Sequence, residues 1–507
     1  MMERSYPEIQ AVVLKQIQES LGYLLPEIFL TILFIIVLVA DLFLKNRKTD
    51  ILTAITLVGL SFNLFIISEQ WIAFETHRPY YGPGGMIRLD TFAIFFKMLF
   101  VISGIIATLF SWLSPRQVRT SGSGEFYSLL ILAITGLNLM VMSGNLLMLY
   151  LSAEFVSIAG YIFSILRLDK KASEGSMKYF IFGVASSAFM LYGMSLWYGL
   201  TGTLEIEKLL TYSYTIDKPL LAVIIFLTLS GFLFKISLFP FHTWVPDVYQ
   251  AAPTPVSAFL SVAPKCAGFG VLAIFIQPVA HELLPENLFL IPVIILCFIT
   301  ILAGNFSALL QTDAKRILAY SSIAHAGFAM CGLLSMSEVG VKSMLFYLAV
   351  YLPMNFAAFI LVDILSEYTG SEDVRKFAGI GKKLPFLGVI FVIIMIALAG
   401  LPPTAGFYAK LLIFSALWES FQNTGNQMLL YLLLFGVFNA VVSLFYYLKI
   451  PYILFFKESG GTISPTAKIR TAIAAGLAFI ITGMFFMPEW LMNYLNNINL
   501  NFLRIPL

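Results

Sequence analysis

Five ionisable residues sit deep inside long apolar runs of this sequence, and their types suit proton handling. Glu154 lies in Leu147-Met-Leu-Tyr-Leu-Ser-Ala-Glu154-Phe-Val-Ser, and Lys235 in Gly231-Phe-Leu-Phe-Lys235-Ile-Ser-Leu-Phe-Pro240. Lys265 directly follows Pro264, His325 lies in Tyr320-Ser-Ser-Ile-Ala-His325-Ala-Gly, and Lys410 follows a Pro402-Pro403 pair. A Lys at the centre of a membrane helix costs about 2.5–3.5 kcal/mol on insertion scales, so such residues usually face a bundle interior and serve ion or proton movement. An isolated Glu154 would be neutral unless a cation lay nearby, and Lys235 is the natural candidate. If the two approach, weakening the pair would let the amine release its proton. His325 can take and give protons near neutral pH. Plainer readings stand beside these: Lys235 snorkelling to the surface, Lys265 and Lys410 packing structurally, a static Glu–Lys ion pair, and a histidine that is only hydrogen-bonded. Lys97 and Lys178, nearer the ends of their runs, read as snorkelling, and Asp363, with Glu367 one turn on, as marking the membrane interface.

Positioning such groups requires membrane helices, and the composition agrees. Of 507 residues, 59% are apolar and 12% charged, against about 25% charged in soluble domains. Runs of about 20 apolar residues predict fourteen spans, near 26–44, 51–70, 91–113, 125–142, 146–166, 176–199, 219–238, 255–277, 288–310, 317–334, 343–365, 386–417, 428–448 and 470–487. The first lacks a cleavage site and is expected to remain in the mature protein, preceded by a short amphipathic lead over residues 1–24. Eighteen Lys and Arg residues fall in the odd-numbered loops and eight on the opposite side, which predicts both termini outside the cytoplasm.

Prolines mark where these helices should break. Pro264 is expected to break the eighth span beside Lys265, and Pro402-Pro403 the twelfth near Lys410. Interruptions leave polar backbone that water can solvate, which in transporters points to the ion pathway. Shifting the chain by 167 residues superposes Ala159-Gly160 on Ala326-Gly327, Ser176-Met177 on Ser343-Met344 and Phe189 on Phe356, a faint internal repeat that sets Glu154 against Ser321, one turn before His325. One ionisable group on each of spans five, seven, eight, ten and twelve suggests a chain of stations. Helices pack 8–10 Å apart, so water or hydroxyl side chains must complete the relay.

Other chemistries are excluded. The net charge of +3 is too small to argue for nucleic acid. Cys266, Cys297 and Cys331 form no C-x-x-C, and the four histidines form no i, i+3 or i, i+4 pair, so cluster, haem and metal sites are not expected. With no nucleotide-binding loop either, the energy must come from a partner or an ion gradient.

Three stretches resemble a known family: Lys235-Ile-Ser-Leu-Phe-Pro-Phe-His-Thr-Trp-Val-Pro-Asp-Val-Tyr-Gln-Ala-Ala-Pro-Thr-Pro-Val256, Thr312-Asp-Ala-Lys-Arg-Ile-Leu-Ala-Tyr-Ser-Ser-Ile323 and Ala399-Gly-Leu-Pro-Pro-Thr-Ala-Gly406. They look like the antiporter-like membrane subunits of respiratory complex I, over about residues 25–490. The Pro246-Asp-Val-Tyr variant, and Lys rather than Glu at 410, look most like the subunit N branch. The resemblance implies an all-α polytopic fold of fourteen transmembrane helices with two inverted five-helix repeats and broken helices. The corresponding divisions are 1–124, 125–277, 288–448 and 449–507. It also implies a coupling pair of Glu154 and Lys235, a connecting station at Lys265, a central His325, a terminal site at Lys410, and accessory roles for Lys178 and His242. The expected setting is a bacterial inner membrane, beside other membrane-arm subunits and lipids. No cofactor is expected in this chain, partner subunits carrying iron–sulfur clusters, perhaps with flavin, and binding quinone. The absence of a long lateral helix after residue 490 argues against the distal position in the arm. A multisubunit cation/proton antiporter and a membrane-bound hydrogenase relative are the alternatives, since the proton-handling part does not reveal the electron donor.

Overall fold

The computed structural model describes residues 18, 20–44, 48–74, 79–114, 123–458 and 467–500, so both termini, nearly all of the 1–24 lead and several of the basic loop residues lie outside the described residues. The described chain is helical, and the helices in order are α1 (Leu25–Phe43), α2 (Lys48–Phe74), α3 (Thr91–Leu113), α4 (Ser123–Val141), α5 (Leu146–Ser164), α6 (Lys170–Thr201), α7 (Ile206–Tyr212), α8 (Lys218–Ile236), α9 (Trp244–Ala251), α10 (Thr254–Pro278), α11 (Leu290–Leu310), α12 (Ala314–Leu334), α13 (Glu338–Thr369), α14 (Ile380–Lys383), α15 (Pro385–Ala399), α16 (Ala405–Thr424), α17 (Gln427–Phe456), α18 (Lys468–Phe486) and α19 (Pro488–Asn496). Between α2 and α3 a two-stranded hairpin pairs β1 (Tyr80–Tyr81) with β2 (Arg88–Leu89), so the 71–90 loop is partly ordered and tied to α7 by the Tyr81 hydroxyl on Glu207 at 2.7 Å.

Polar residues just outside the apolar runs start the helices. Asp90, Asn145, Asp169 and Asp313 each accept a hydrogen bond from the backbone N–H three residues on, which satisfies a donor the helix itself leaves open. Every residue of α10 is buried, and α12 and α13 are buried along nearly all of their length. These three form the centre. The flanking helices keep bare apolar side chains, such as Phe62 and Phe65 on α2 and Phe438 and Phe445 on α17, as helices facing lipid must.

Thirteen of the described helices are long and apolar enough to cross a membrane. The expected twelfth span, 386–417, is instead two helices, α15 and α16. Pro402 and Pro403 have no N–H to donate, and Gly400 ends α15 with φ +84°, a left-handed geometry that glycine adopts without steric cost. The seventh span likewise stops at Ile236 and resumes as α9. Each broken helix is the fourth in a run of five, α4–α10 in one run and α11–α17 in the other.

Two expectations fail. Pro264 does not break its helix, because α10 runs unbroken through it. The carbonyl that the proline leaves without a helical donor, that of Leu260, accepts the Tyr249 hydroxyl at 3.3 Å, so the lost bond is replaced from outside. Lys97 does not snorkel. It is fully buried, its amine 2.8 Å from Glu27 Oε1 and 3.0 Å from Gln70 Oε1, while Asn138 donates to the same carboxylate at 3.1 Å. This cluster ties α1, α2, α3 and α4 together at one point.

Removing one partner of a buried ion pair strands the other charge, at about 3–5 kcal/mol. Lys97→Met should therefore lower the thermal unfolding midpoint of the detergent-purified protein sharply, and the double variant Glu27→Leu/Lys97→Met should recover most of the loss. A double variant no better than Lys97→Met would show that the pair is not the lock between these helices.

Candidate functional site

The Lys235 side chain leaves the last turn of α8 and is buried, so it does not reach the surface. Its amine donates to Ser157 Oγ at 2.9 Å, and that hydroxyl donates in turn to the Ala153 carbonyl at 2.9 Å. Ser157 lies one turn after Glu154 on α5. The carboxylate accepts the hydroxyl of Ser187 from α6 and is within Coulombic reach of the amine. Glu154 and Lys235 are thus neighbours without a direct ion pair, with a neutral hydroxyl between their helices. Glu154 is half-buried at the border of an apolar face made by Leu151, Ile158 and Ile181.

From Lys235 the polar groups pass to the central helices. Gly268, one turn after Lys265, packs so tightly on α8 that a methyl group there would lie 2.6 Å from Ile236. The Lys265 amine crosses to α12 and donates to the Ser322 carbonyl at 2.8 Å. The Ser322 hydroxyl accepts from Tyr351 at 3.0 Å, and Asn355 donates to Tyr351 Oη at 2.8 Å and to Ser261 Oγ at 2.6 Å. Lys265 therefore faces a ring of hydroxyl and amide groups and no carboxylate. His325, one turn beyond Ser322, sits between two phenols: Nδ1 is 2.5 Å from Tyr347 Oη and Nε2 is 2.9 Å from Tyr447 Oη. Tyr447 also bonds Ser321. Its neighbour Tyr446 donates to Asn305 at 3.0 Å, and Asn305 reaches Asn439.

Lys410 ends the series. Its amine donates to the Ala399 carbonyl at 2.6 Å, at the C-terminal end of α15, where carbonyls lack helical donors and the helix dipole favours a cation. A side chain on Gly400 would come within 2.7 Å of the Lys410 stem, so glycine is required there both for the turn and for the lysine. The amine lies 4.9 Å from the centre of the Phe328 ring, one turn after His325, and both Lys265 and Lys410 are within Coulombic reach of the imidazole.

The structure brings Glu154, Lys235, Lys265, His325 and Lys410 into one succession of packed helices, and leaves Lys178 and His242 outside it. Lys178 is 43% exposed and pairs with Asp247 at 2.8 Å and Glu174 at 2.9 Å, and Asp247 also holds Arg316 at 2.8 Å. His242 lies in the break between α8 and α9, and its Nδ1 has no partner among the described residues. Asp363 is buried against Arg470 at 2.8 Å, with Glu367 on the same guanidinium. This triad lines a 710 Å³ polar cavity that reaches Gln250 and Asp313. Sequence reading missed the connecting groups. Tyr347, Tyr351 and Asn355 recur every fourth residue along an otherwise apolar helix, a polar stripe that was legible. Ser157 and Ser187 carried no such signal. Cys297 and Cys331, far apart in sequence, lie with their sulfurs 3.8 Å apart.

Comparison with known proteins agrees with this geometry. Residues 143–443 match the family described as NADH:quinone oxidoreductase/Mrp antiporter, transmembrane. The chain is 38% identical over 499 residues to NADH-quinone oxidoreductase subunit N of Chlorobium chlorochromatii, covering 95% of each chain. It is 35% identical to the subunit N of Anaeromyxobacter sp., covering 91% of this chain and 94% of that one. Among solved structures, a chain of respiratory complex I from Thermus thermophilus with bound aureothin is 27% identical, with a TM-score of 0.78 over 94% of this chain and all of that one. A chain of the Mrp complex from Dietzia sp., at 18% identity and a TM-score of 0.80 over 94% of this chain and 96% of that one, shares the fold.

Tyr447→Phe removes one hydroxyl shared by His325 and Ser321. Leaving those two buried groups unsatisfied should cost about 1–3 kcal/mol, read as a lowered unfolding midpoint of the purified protein. An unchanged midpoint would show that the hydroxyl is not their common partner.

Proposed function

The chain belongs to the family of NADH:quinone oxidoreductase and Mrp antiporter membrane subunits, and from that membership we propose that it is the subunit N type of proton-translocating subunit in the membrane arm of a quinone-reducing complex. The observation that carries this reading is the run of ionisable groups on successive helices, joined by hydroxyls, phenols and backbone carbonyls. Glu154 and Lys235 form the coupling pair, Lys265 connects, His325 with Tyr347 and Tyr447 bridges the centre, and Lys410 is the terminal station. Lys178 and His242 are accessory, Lys178 through its network with Asp247 and Arg316 at the end of the bundle.

In this reading the energy comes from elsewhere in the assembly. Moving one charge against 100 mV takes about 2.3 kcal/mol, supplied by electron transfer to quinone in partner subunits, which hold the iron–sulfur clusters and flavin. The half-buried Glu154, at the edge of its apolar face, is where a neighbouring membrane-arm subunit would cover the carboxylate and act on its charge. The chain sits in a bacterial inner membrane with both termini on the non-cytoplasmic side, which puts the polar cavity by Asp313 and Arg470 on the cytoplasmic side as the proton intake.

Two experiments test the roles. Glu154→Gln keeps the shape and removes the charge, and should slow quinone-coupled turnover of the assembled complex at least severalfold; wild-type turnover and pumping would refute the coupling pair. At Lys265 and Lys410 the discriminating substitution is arginine. A station must lose and regain its proton, and a guanidinium stays protonated in proteins. Lys→Arg and Lys→Ala should therefore both impair proton uptake into vesicles by the assembled complex. Near-normal pumping by Lys265→Arg or Lys410→Arg, with Ala defective, would return that residue to a purely electrostatic or structural role.

A further inference from the structure

Away from the relay, a groove of 540 Å³ opens between the start of α15 and the start of α18. Its volume falls in the range of ligand pockets, about 300–1,000 Å³. Phe386 and Leu387 form one wall, and Ala472 and Ala475, whose small side chains leave the space open, form the other. Two cations stand at its mouth, Lys383 at the end of α14 and Lys468 at the start of α18, and both are exposed. Neither helix start is capped by a side chain, so first-turn N–H groups and two positive dipole ends add to the lysines. The carboxylates on the adjoining turns of α13, Asp363 and Glu367, are held by Arg470 and do not neutralise the mouth.

An apolar slot at the level of the bilayer surface, with cations only at its rim, has the polarity of one amphiphile. We propose that the groove binds an anionic phospholipid, its phosphate between Lys383 and Lys468 and an acyl chain against Phe386, Leu387 and Ala475. Charge complementarity selects this occupant over a zwitterionic lipid, because basic clusters between membrane helices attract anionic headgroups with about 1 kcal/mol for each Lys near the surface. The apolar walls select it over a free anion, which would gain nothing from them. The proposal is independent of the relay, since none of these residues takes part in it.

The test is photo-crosslinking in the assembled complex, placed in nanodiscs of equal phosphatidylglycerol and phosphatidylcholine, with a photo-reactive phenylalanine analogue in place of Phe386. The expected adduct is phosphatidylglycerol in clear excess over phosphatidylcholine. Lys383→Gln/Lys468→Gln should reduce that excess by up to about 30-fold, bringing it towards the bulk ratio. Ala475→Phe, which fills the slot and leaves both lysines, should lower the yield of both lipid adducts. Adducts in the bulk lipid ratio, an excess indifferent to the two lysines, or an adduct to a neighbouring subunit in place of lipid would each overturn the site.

Discussion

The cost of a charge in a low-dielectric slab governs this structure. Each buried amine must find an oxygen, and an intact helix offers few, because its carbonyls already accept from its own N–H groups. Helix interruptions change that supply. Lys410 reaches the Ala399 carbonyl only because Gly400 and the Pro402-Pro403 pair stop α15 there. Break and lysine are one device: without the break the amine has no acceptor, and without the amine the end of α15 leaves carbonyls buried and unpaired.

The lysines divide by what they touch. Lys97 is locked against Glu27, with Gln70 and Asn138 filling the rest of its shell. If that amine lost its proton, a buried carboxylate would be stranded, so the pair behaves as a fastener. Lys235, Lys265 and Lys410 contact a serine hydroxyl and two backbone carbonyls. These neutral acceptors hold a charged amine and still leave no orphaned anion when it becomes neutral. Contact type thus separates the fastener from the proposed stations, although all four side chains are equally buried.

Much of this was legible in the sequence, and the rest was not for identifiable reasons. Apolar run lengths located the spans, and Pro402-Pro403 located a break, because missing N–H groups act locally. Pro264 misled because its repair is not local: the hydroxyl that takes the Leu260 carbonyl belongs to Tyr249 on another helix. Lys97 misled because its partner, Glu27, lies 70 residues earlier, at the very start of a run where a carboxylate reads as interfacial. Glu154 and Lys235 were rightly read as neighbours, yet the intervening Ser157 is one of many serines in apolar helices and nothing in its spacing distinguishes it. The Tyr347, Tyr351 and Asn355 stripe could have been found by asking which polar residues share a helix face.

The direction of the network follows from its placement. Glu154, Lys235, Lys265, His325 and Lys410 stand on different helices, so their succession runs across the bundle, from the α5 face to the break beside α16. Along a single helix, stations would be separated by apolar turns with no hydroxyl to bridge them. Across packed helices, side chains from both sides meet, and one tyrosine can touch two partners, as Tyr447 touches His325 and Ser321. A lateral line also ends at the molecule's flank. There Glu154 is half-buried among bare apolar residues, so a neighbouring subunit that covered this flank would change the electrostatics of the first station without reaching the centre. For a chain that moves protons on energy released in another subunit, that exposed end is the physical opening through which the coupling can act.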